Sequence, residues 1–187
     1  FRNTNWFDLL FNNSISQNHA ISFSTGTEKA SYYTSLSIMN DPGWTKKSEV
    51  KRYTANVNAL YHISKALSLN LISNASYRKQ KAPGTLSSSV DPVSGEVKRD
   101  FDINPYSYAL NTSRTLDPDA YYVRNYAPFN ILHELDNNYI DLNVTDLKFQ
   151  GELKWKPIHK IELSALGAYK TSMTTQSHTC LLYTSPS

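Results

Sequence analysis

The chain has 187 residues, and 40% of them are hydrophobic. The mean hydropathy of −0.50 and the lack of any run near about 18 apolar residues exclude a helical membrane protein. A net charge of +3, from 19 basic and 16 acidic residues, is too balanced to indicate nucleic-acid binding. The single cysteine, Cys180, excludes a disulfide framework and a thiolate metal cluster.

The N-terminal part of the chain is predicted to contain a helical turn and two strands. The first 16 residues carry aromatic side chains at a weak helical spacing, which predicts a packed helical turn or a linker. Alternation over His19–Thr25 predicts a strand, and Gly26–Lys29 a turn. A second strand is predicted over Tyr32–Ile38. Asn40–Gly43 ends it, because Pro presets φ at one corner of a turn and Gly accepts a positive φ at the next.

Two long alternating segments, Arg52–Ile63 and Leu67–Arg78, form the clearest pattern in the chain. Odd positions are mostly apolar and even positions mostly polar, which predicts a β-hairpin with one apolar and one polar face. Tyr53 and Tyr77 put rings at the strand ends. Strands of about 11 residues tilted by about 40° rise roughly 25–28 Å, the height of the apolar band of an outer-membrane barrel. Strands in soluble proteins are usually about 5–6 residues long.

Residues 79–143 lose the alternation and contain five prolines, which predicts a long loop. Outer-membrane barrels have this asymmetry, with short periplasmic turns and long extracellular loops. Aromatic rings stack on the apolar faces of sugars, and a Tyr hydroxyl adds a hydrogen bond. The loop aromatics predicted to contact substrate or a partner protein are Tyr106, Tyr108, Tyr121, Tyr122, Tyr126 and Phe129. The alternative is that these rings pack the loop against itself or against a plug inside the barrel.

A second hairpin is predicted from residues 146–155 and 161–170. Charged or amide side chains fill the even positions from Asp146 to Lys154, and apolar side chains fill most of the odd ones. A lysine facing lipid at the bilayer midplane would cost ~2–4 kcal/mol, so the charged face is predicted to line the lumen.

The two hairpins together predict which side chains face lipid and which face water. The residues predicted to face lipid are Tyr53, Val57, Tyr61, Leu69, Leu71, Phe149, Leu153 and Trp155. The residues predicted to face the lumen are Arg52, Asn56, Asn58, Asn70, Asn74, Lys148, Glu152 and Lys154. A soluble sandwich is the alternative, with the apolar face in a core and the polar face in solvent.

The sequence carries no pattern that indicates catalysis. Its five histidines lack metal-ligand spacing, and no phosphate-binding loop or nucleophile motif is present. Two aspartate pairs could bind Ca²⁺ in the loop, although neither has EF-hand spacing: Asp100 with Asp102, and Asp117 with Asp119. Glu134 and Asp136 are interpreted as solvated carboxylates. We therefore expect no enzymatic activity, no cofactor and no metal site.

Four segments resemble the SusC/RagA class of TonB-dependent outer-membrane transporters. They are NTNWFDLLF, SQNHAISFSTGTEKASYYTSLSIMNDPG, KRYTANVNALYHISKALSLNLISNASY and NPYSYAL, in this order along the chain. The Gly-Thr-Glu-Lys step before a Tyr-Tyr strand and the Arg-Tyr-x3-Val-Asn strand are fairly specific when they occur together. The resemblance covers most of residues 1–169.

The resemblance implies an all-β fold, an antiparallel up-and-down transmembrane barrel of 22 strands occluded by an N-terminal plug. Residues 1–28 would be the end of the plug domain and its linker. Residues 29–176 would be the N-terminal part of the barrel, with Ala30–Asn40 as the first of about five strands and a long extracellular loop at 79–143.

The resemblance also implies a role in import across the outer membrane of a Gram-negative bacterium. Such proteins usually take up oligosaccharides or peptides, work with a SusD-like surface lipoprotein and are energised by TonB. The segment that contacts TonB in this class is not in this sequence. The barrel would be surrounded by outer-membrane lipid. The alternative function is a soluble all-β carbohydrate-binding module.

Both ends of the sequence point to a piece of a longer protein. The chain begins at Phe1 without an initiator methionine, and no signal peptide is visible. The final letters, TCLLYTSPS, resemble a translated sequencing-adapter string. We therefore expect residues 177–187 to be a non-native tail.

Overall fold

This computed structural model describes residues 2–84, 88–90, 97–99, 104–124, 127–158 and 160–180. Ten strands and three short helices lie in these ranges. In chain order they are α1 (Trp6–Leu10), β1 (Gln17–Gly26), β2 (Ala30–Asp41), β3 (Glu49–His62), β4 (Leu67–Pro83), β5 (Ser88–Val90), β6 (Val97–Arg99), α2 (Pro105–Asn111), β7 (Tyr122–Arg124), β8 (Ala127–Phe129), α3 (Ile131–Asn137), β9 (Asn138–Ile158) and β10 (Ile161–Cys180).

Six of the strands form one antiparallel sheet in the order β1-β2-β3-β4-β9-β10. Neighbours in the sheet follow one another along the chain, apart from the insertion between β4 and β9 that holds two small hairpins. The predicted all-β, up-and-down antiparallel arrangement is confirmed, and the sheet is not closed within the described residues. The resemblance implied about five barrel strands from Ala30 onward, and the sheet has six because β1, the strand that alternation predicted at His19–Thr25, pairs along its whole length with β2.

The strands extend beyond the boundaries that alternation predicted. β4 continues to Pro83 and β9 begins at Asn138, so both ends of the predicted 79–143 loop belong to strands. Lys79, Gln80 and Lys81 show no alternation, but they pair with β3 on one side and with β9 on the other. β10 likewise continues to Cys180 and pairs residues 177–180 with the start of β9. The domain boundary at residue 28 and the non-native origin of residues 177–187 stay predictions, and residues 181–187 lie outside the described part.

The two ends of the sheet differ, and we name them by their connections. The β1–β2, β3–β4 and β9–β10 connections are short and lie at one end, the turn end. The β2–β3 connection and the long insertion lie at the other, the loop end. The predicted turn after β2 is formed, since Gly43 has φ of 68° and its N–H donates to Asp41 Oδ1 at 3.0 Å.

The register assigns each predicted set of side chains to a single face. Val57 pairs with Ser73 on β4, and Ser73 pairs with Phe149 on β9. One residue earlier, Asn56 pairs with Asn74, which pairs with Lys148. Directly paired residues point to the same side of a sheet. We call the surface that contains Val57 the apolar face and the surface that contains Asn56 the polar face.

Within the described ranges, no second layer of protein covers the apolar face. Val57, at its centre, is 44% exposed, and most of the large apolar side chains around it are also exposed. Leu69 is half-buried by its neighbours within the sheet. The buried hydrophobic residues of the described chain, apart from Ala30, all lie elsewhere. A sandwich would have covered this face.

The only buried cluster among the described residues stands at the loop end, and we call it the cap. It joins α1, α2, β8 and α3, and its buried members are Trp6, Leu10, Tyr108, Ala109, Phe129, Ile131 and Leu135. Both longer helices begin at an asparagine cap. The Asn104 side chain accepts from the N–H groups of Tyr106 and Ser107, and Asn130 caps α3 in the same way. No helix in the described ranges has the length and apolar character to cross a bilayer.

Candidate functional site

The N-terminal segment is bonded into the cap, which brings three distant parts of the chain together at the loop end. Thr4 N–H donates to Arg114 O at 2.8 Å, and Trp6 Nε1 donates to Ser113 O at 3.0 Å. The β2–β3 connection joins on the other side, where Lys46 N–H donates to Leu10 O at 2.9 Å. The loop end is therefore built from residues before β1, between β2 and β3, and after β4.

Two of the six predicted contact aromatics are core residues of the cap. Phe129 is 1% exposed, and Tyr108 is also buried. Tyr108 packs edge-on against Trp6, with ring centroids 5.2 Å apart, and accepts a hydrogen bond from the Tyr122 hydroxyl at 3.2 Å. Tyr122 is half-buried against Phe129. Both rings are packed in the cap, as the alternative of loop packing expected, and contact of Tyr108 and Phe129 with a ligand stays a prediction that this burial disfavours.

Two other predicted aromatics keep an open surface. Tyr106 and Tyr121 are both exposed, and the Tyr121 hydroxyl lies 3.3 Å from His133 Nδ1. Their role in contacting a ligand stays a prediction. Tyr126 lies outside the described residues.

Three further aromatic rings surround Tyr106, and sequence reasoning missed them as site residues. Phe7 and Phe11 stack at 5.5 Å, and Phe11 stacks on Trp44 at 5.0 Å. Tyr106 stands across this stack, with its ring centroid 6.0–6.4 Å from the other three. We call Phe7, Phe11, Trp44 and Tyr106 the aromatic cluster. The i, i+4 spacing of Phe7 and Phe11 was a signal for their stacking, but nothing local predicted that Trp44 would join them.

The polar face carries hydrogen-bonded side chains in its middle. Asn74 Nδ2 donates to Asn56 Oδ1 at 2.7 Å, and Asn56 Nδ2 donates to Ser35 Oγ at 3.0 Å. These bonds cross three strands. Nearer the turn end, Lys154 Nζ lies 3.4 Å from Glu152 Oε1. The structure puts all eight residues that were predicted to line the lumen on this polar face, and their contact with water in a lumen stays a prediction.

Ion pairs mark both rims of the sheet, outside the aromatic ends of the apolar face. Beyond Trp155, Lys156 Nζ lies 2.9 Å from Glu162 Oε2. The hydrogen bond from Lys156 and its positive charge lower the pKa of the Glu162 carboxyl. Beyond Tyr53, the Glu49 carboxylate accepts from Lys51 at 2.9 Å, and that bond raises the pKa of the Lys51 ammonium. Both pairs are solvent-exposed and contribute little to stability.

Three acidic side chains of the described part of the insertion contact other residues of the protein. Asp117 pairs with Arg2 and also accepts from the Asp119 N–H at 3.1 Å. Glu134 was interpreted as a solvated carboxylate, but it is buried beside Asn138. Asp136 is solvent-exposed and pairs with Lys47. Asp100 and Asp102 lie outside the described residues. Across the residues that the structure describes, no group of three or more metal-ligating side chains comes together.

The chain resembles two curated proteins over part of its length. It is 33% identical over 81 residues to TonB-dependent receptor P26 of Formosa agariphila, a match that spans 43% of this chain and 8% of the relative. It is 38% identical over 56 residues to TonB-dependent receptor SusC of Bacteroides thetaiotaomicron, which spans 30% of this chain and 6% of the relative. No protein-family model matches the chain.

Solved structures of a peptide transporter share the fold. The structure of the RagAB peptide transporter superposes with a TM-score of 0.73 at 17% identity, over 95% of this chain and 20% of the solved chain. The RagAB peptide importer in its closed-closed state gives a TM-score of 0.71 at 18% identity, over 94% of this chain. The chain thus spans about a fifth of the length of the solved chains that it matches. The two receptor sequences and the shared fold relate this chain to the SusC/RagA class of TonB-dependent transporters, over a part of their length.

Proposed function

We propose that the chain forms a section of the barrel wall of a TonB-dependent transporter in the outer membrane of a Gram-negative bacterium. The observation that supports this function is the exposed apolar face, which spans the sheet and is not covered by any other part of the chain that the structure describes. Soluble proteins rarely expose such a large continuous apolar surface. In a bilayer the same side chains would contact lipid tails, so their exposure would carry no free-energy penalty.

The spacing of aromatic residues on the apolar face fits the height of a bilayer. Tyr53 stacks beside Tyr77 near the loop end, with ring centroids 6.4 Å apart. Tyr61 lies toward the turn end, in a row of paired residues with Leu69 and Leu153 that we call the Tyr61 row. Trp155 lies two residues beyond this row on β9. The eight-residue step from Tyr53 to Tyr61 rises about 20 Å for a strand tilted by about 40°. Rings at both limits with aliphatic residues between them match the aromatic girdles of outer-membrane barrels.

The polar face suits a water-filled lumen. Lys148 and Lys154 both occupy it, and either one would cost ~2–4 kcal/mol on the lipid face at the bilayer midplane. The asparagine and serine side chains of this face bond in part to one another, and water in a lumen would satisfy their remaining polar groups. The loop end would then face the cell exterior and the turn end the periplasm.

The proposed transport role also requires a substrate, a partner protein and a source of energy. We propose import of an oligosaccharide or a peptide, with a SusD-like surface lipoprotein as partner and TonB as the source of energy. The names of the relatives support receptor and transport roles, and RagAB is described as a peptide transporter. The chain would act by binding and conduction, without chemistry of its own and without a cofactor.

A soluble all-β carbohydrate-binding module is the rival function. It requires a core beneath the apolar face, and the only core in the described residues lies at the loop end. The bare face therefore counts against this function.

Charge insertion on the two faces tests the proposal. Val57 and Asn58 are neighbours on β3 that point to opposite faces. In the receptor that contains this chain, Val57→Arg is expected to cost ~2–4 kcal/mol in the membrane and to reduce the folded protein in the outer-membrane fraction. Asn58→Arg, the matched control, is expected to leave it unchanged. Leu69→Arg lies in the Tyr61 row, closer to the interface, and is expected to have a smaller effect.

The measurement is heat-modifiable mobility of the outer-membrane fraction on gels. Equal tolerance of Val57→Arg and Asn58→Arg, with the protein recovered in the soluble fraction, would favour the carbohydrate-binding module instead.

A further inference from the structure

Two lysines lie directly opposite each other on the apolar side of the sheet, just beyond Tyr53 and Tyr77, which we call the tyrosine pair. Lys51 of β3 pairs with Lys79 of β4, two residues past the tyrosine pair. At a tilt of about 40°, this row lies about 5 Å from the rings, toward the loop end. Like charges at directly opposite positions of an antiparallel pair are destabilising. An anion between the two ammonium groups would remove that repulsion.

The rest of this row supplies hydrogen-bonding groups and no carboxylate. Across the sheet from β2 to β10, its paired residues are Asn40, Lys51, Lys79, Asn143 and Thr175. The Asn143 side chain accepts at Oδ1 from the Tyr77 hydroxyl at 3.2 Å, which leaves its amide N–H groups to donate to a ligand. The row therefore combines two positive charges with a neutral donor, which suits an anion.

The lysines at this rim differ in what they already contact. Lys51 Nζ lies 2.9 Å from Glu49 Oε2, and Lys81 Nζ lies 3.8 Å from the centre of a tyrosine ring. A second carboxylate, Asp141, pairs in register with Lys81, one row farther from the tyrosine pair. Lys79 is exposed, and in the part of the chain that the structure describes its ammonium group makes no ion pair. Lys79 therefore presents its charge to an external anion.

An apolar groove lies on the other side of the tyrosine pair, toward the middle of the sheet. Its volume is about 410 Å³, and both rings of the tyrosine pair line it. Ala55 and Ala75 pair with each other in the groove, and the row continues to Leu36 on β2 and Leu147 on β9. The two small side chains thus leave a depression between two larger ones. An alkyl chain that fills this depression would bury apolar surface on both sides.

We propose that Lys79, with Lys51 and the Asn143 amide, binds the phosphate of an outer-leaflet glycolipid of the lipid A class, with one of its acyl chains in the groove. The inference rests on the proposed barrel function and adds a lipid ligand to the outer surface of the wall. Phosphate oxygens accept charge-assisted hydrogen bonds from lysine, and basic side chains near a membrane surface attract anionic lipids. The groove beside the cations favours a lipid phosphate over free phosphate, because a free ion gains nothing from an apolar surface.

Lipid A binding by the detergent-purified receptor that contains this chain, measured by native mass spectrometry, tests the inference. Lys79→Gln is expected to weaken binding about fivefold, the effect of one lysine at an anionic lipid surface. Glu49→Gln, which releases Lys51 from its ion pair, is expected to tighten binding about twofold. Ala75→Leu fills the groove without a change of charge and is expected to weaken binding about fourfold. Heat-modifiable mobility on gels checks that each variant is folded.

Lys65→Gln is the matched control, because Lys65 is an exposed lysine in the β3–β4 connection at the turn end and its loss changes the net charge equally. It is expected to bind lipid A as the wild type does. Dephosphorylated lipid A is expected to bind more weakly than lipid A, and an excess of inorganic phosphate is expected to leave lipid A bound.

Four results would overturn the inference. They are a wild type that does not retain lipid A, unchanged affinity in any of the three variants at the site, equal binding of dephosphorylated lipid A, and displacement of lipid A by inorganic phosphate. Failure of the proposed transport function is seen separately, as wild-type protein that does not fractionate with the outer membrane.

Discussion

The sheet and the cap are built on opposite principles. Six long strands form a wall one layer thick, with few buried side chains along it. The cap contains only short helices and a three-residue strand, yet it holds nearly all the buried apolar residues of the described chain. The cap is stabilised by its own core, whereas the wall takes its stability from backbone pairing and from what surrounds it. Substitutions in one region should therefore leave the other intact.

The strongest test of this independence is Phe129→Ala. Phe129 is the largest fully buried side chain of the cap, and its truncation is expected to cost about 3–5 kcal/mol locally. Hydrogen exchange measured by mass spectrometry should accelerate in α2 and α3 and stay slow in β3 and β4. Faster exchange in β3 and β4 as well would mean that the two regions fold as a single unit.

Asn130→Ala should have the next largest effect. The buried Asn130 side chain accepts from two N–H groups at the start of α3 and donates to Pro118 O and Ala120 O at 2.7 and 3.1 Å. Its loss is expected to cost roughly 2–3 kcal/mol. Asn104→Ala removes the exposed cap of α2 and should cost about 1 kcal/mol. Equal exchange rates in the two variants would contradict a special role for the buried amide.

Gly84→Ala tests the junction between the wall and the cap. A Cβ at Gly84 would overlap the side-chain amide of Asn138, the first residue of β9. We expect about 1–2 kcal/mol of destabilisation from overpacking, seen as faster exchange at the loop end of the β4–β9 ladder. Gly167→Ala is the control, because nothing lies within 4 Å of its new Cβ. The control should be neutral or slightly stabilising.

The smallest effect is expected from Lys47→Ala. Lys47 Nζ lies 2.6 Å from Asp136 Oδ1, and both side chains are about half exposed. The pair links the β2–β3 connection to α3, but exposed ion pairs are worth at most about 1 kcal/mol before screening. Thermal unfolding should shift little, and raising the salt concentration should remove the difference. A large shift would show that this contact joins the cap to the wall more strongly than its exposure implies.

Alternation predicted the two faces of the sheet because successive side chains of a strand point to opposite sides, so every second residue must share a face. Tyr53, Val57 and Tyr61 fall on one surface wherever the strand begins or ends. The strand ends were not predictable in this way, since Lys79–Lys81 show no alternation and are held in β4 by backbone pairing on both sides, with β3 and with β9 about 60 residues later. Asn104-Pro105 is a helix-start signal that sequence reasoning left unused. The contact between the Trp44 and Tyr106 rings depends on long-range packing, which no local pattern encodes.

The length of β9 fixes how far the cap stands from the lipid. Tyr77 on the apolar face pairs with Thr145, and β9 begins seven residues earlier, at Asn138. At a tilt of about 40°, those seven residues place the start of β9, which directly follows α3, about 18 Å above the aromatic girdle. In the orientation that we propose, the cap is the part of this chain that antibodies, phage and extracellular proteases would reach first. The lipid-level strands beneath it would remain out of their reach.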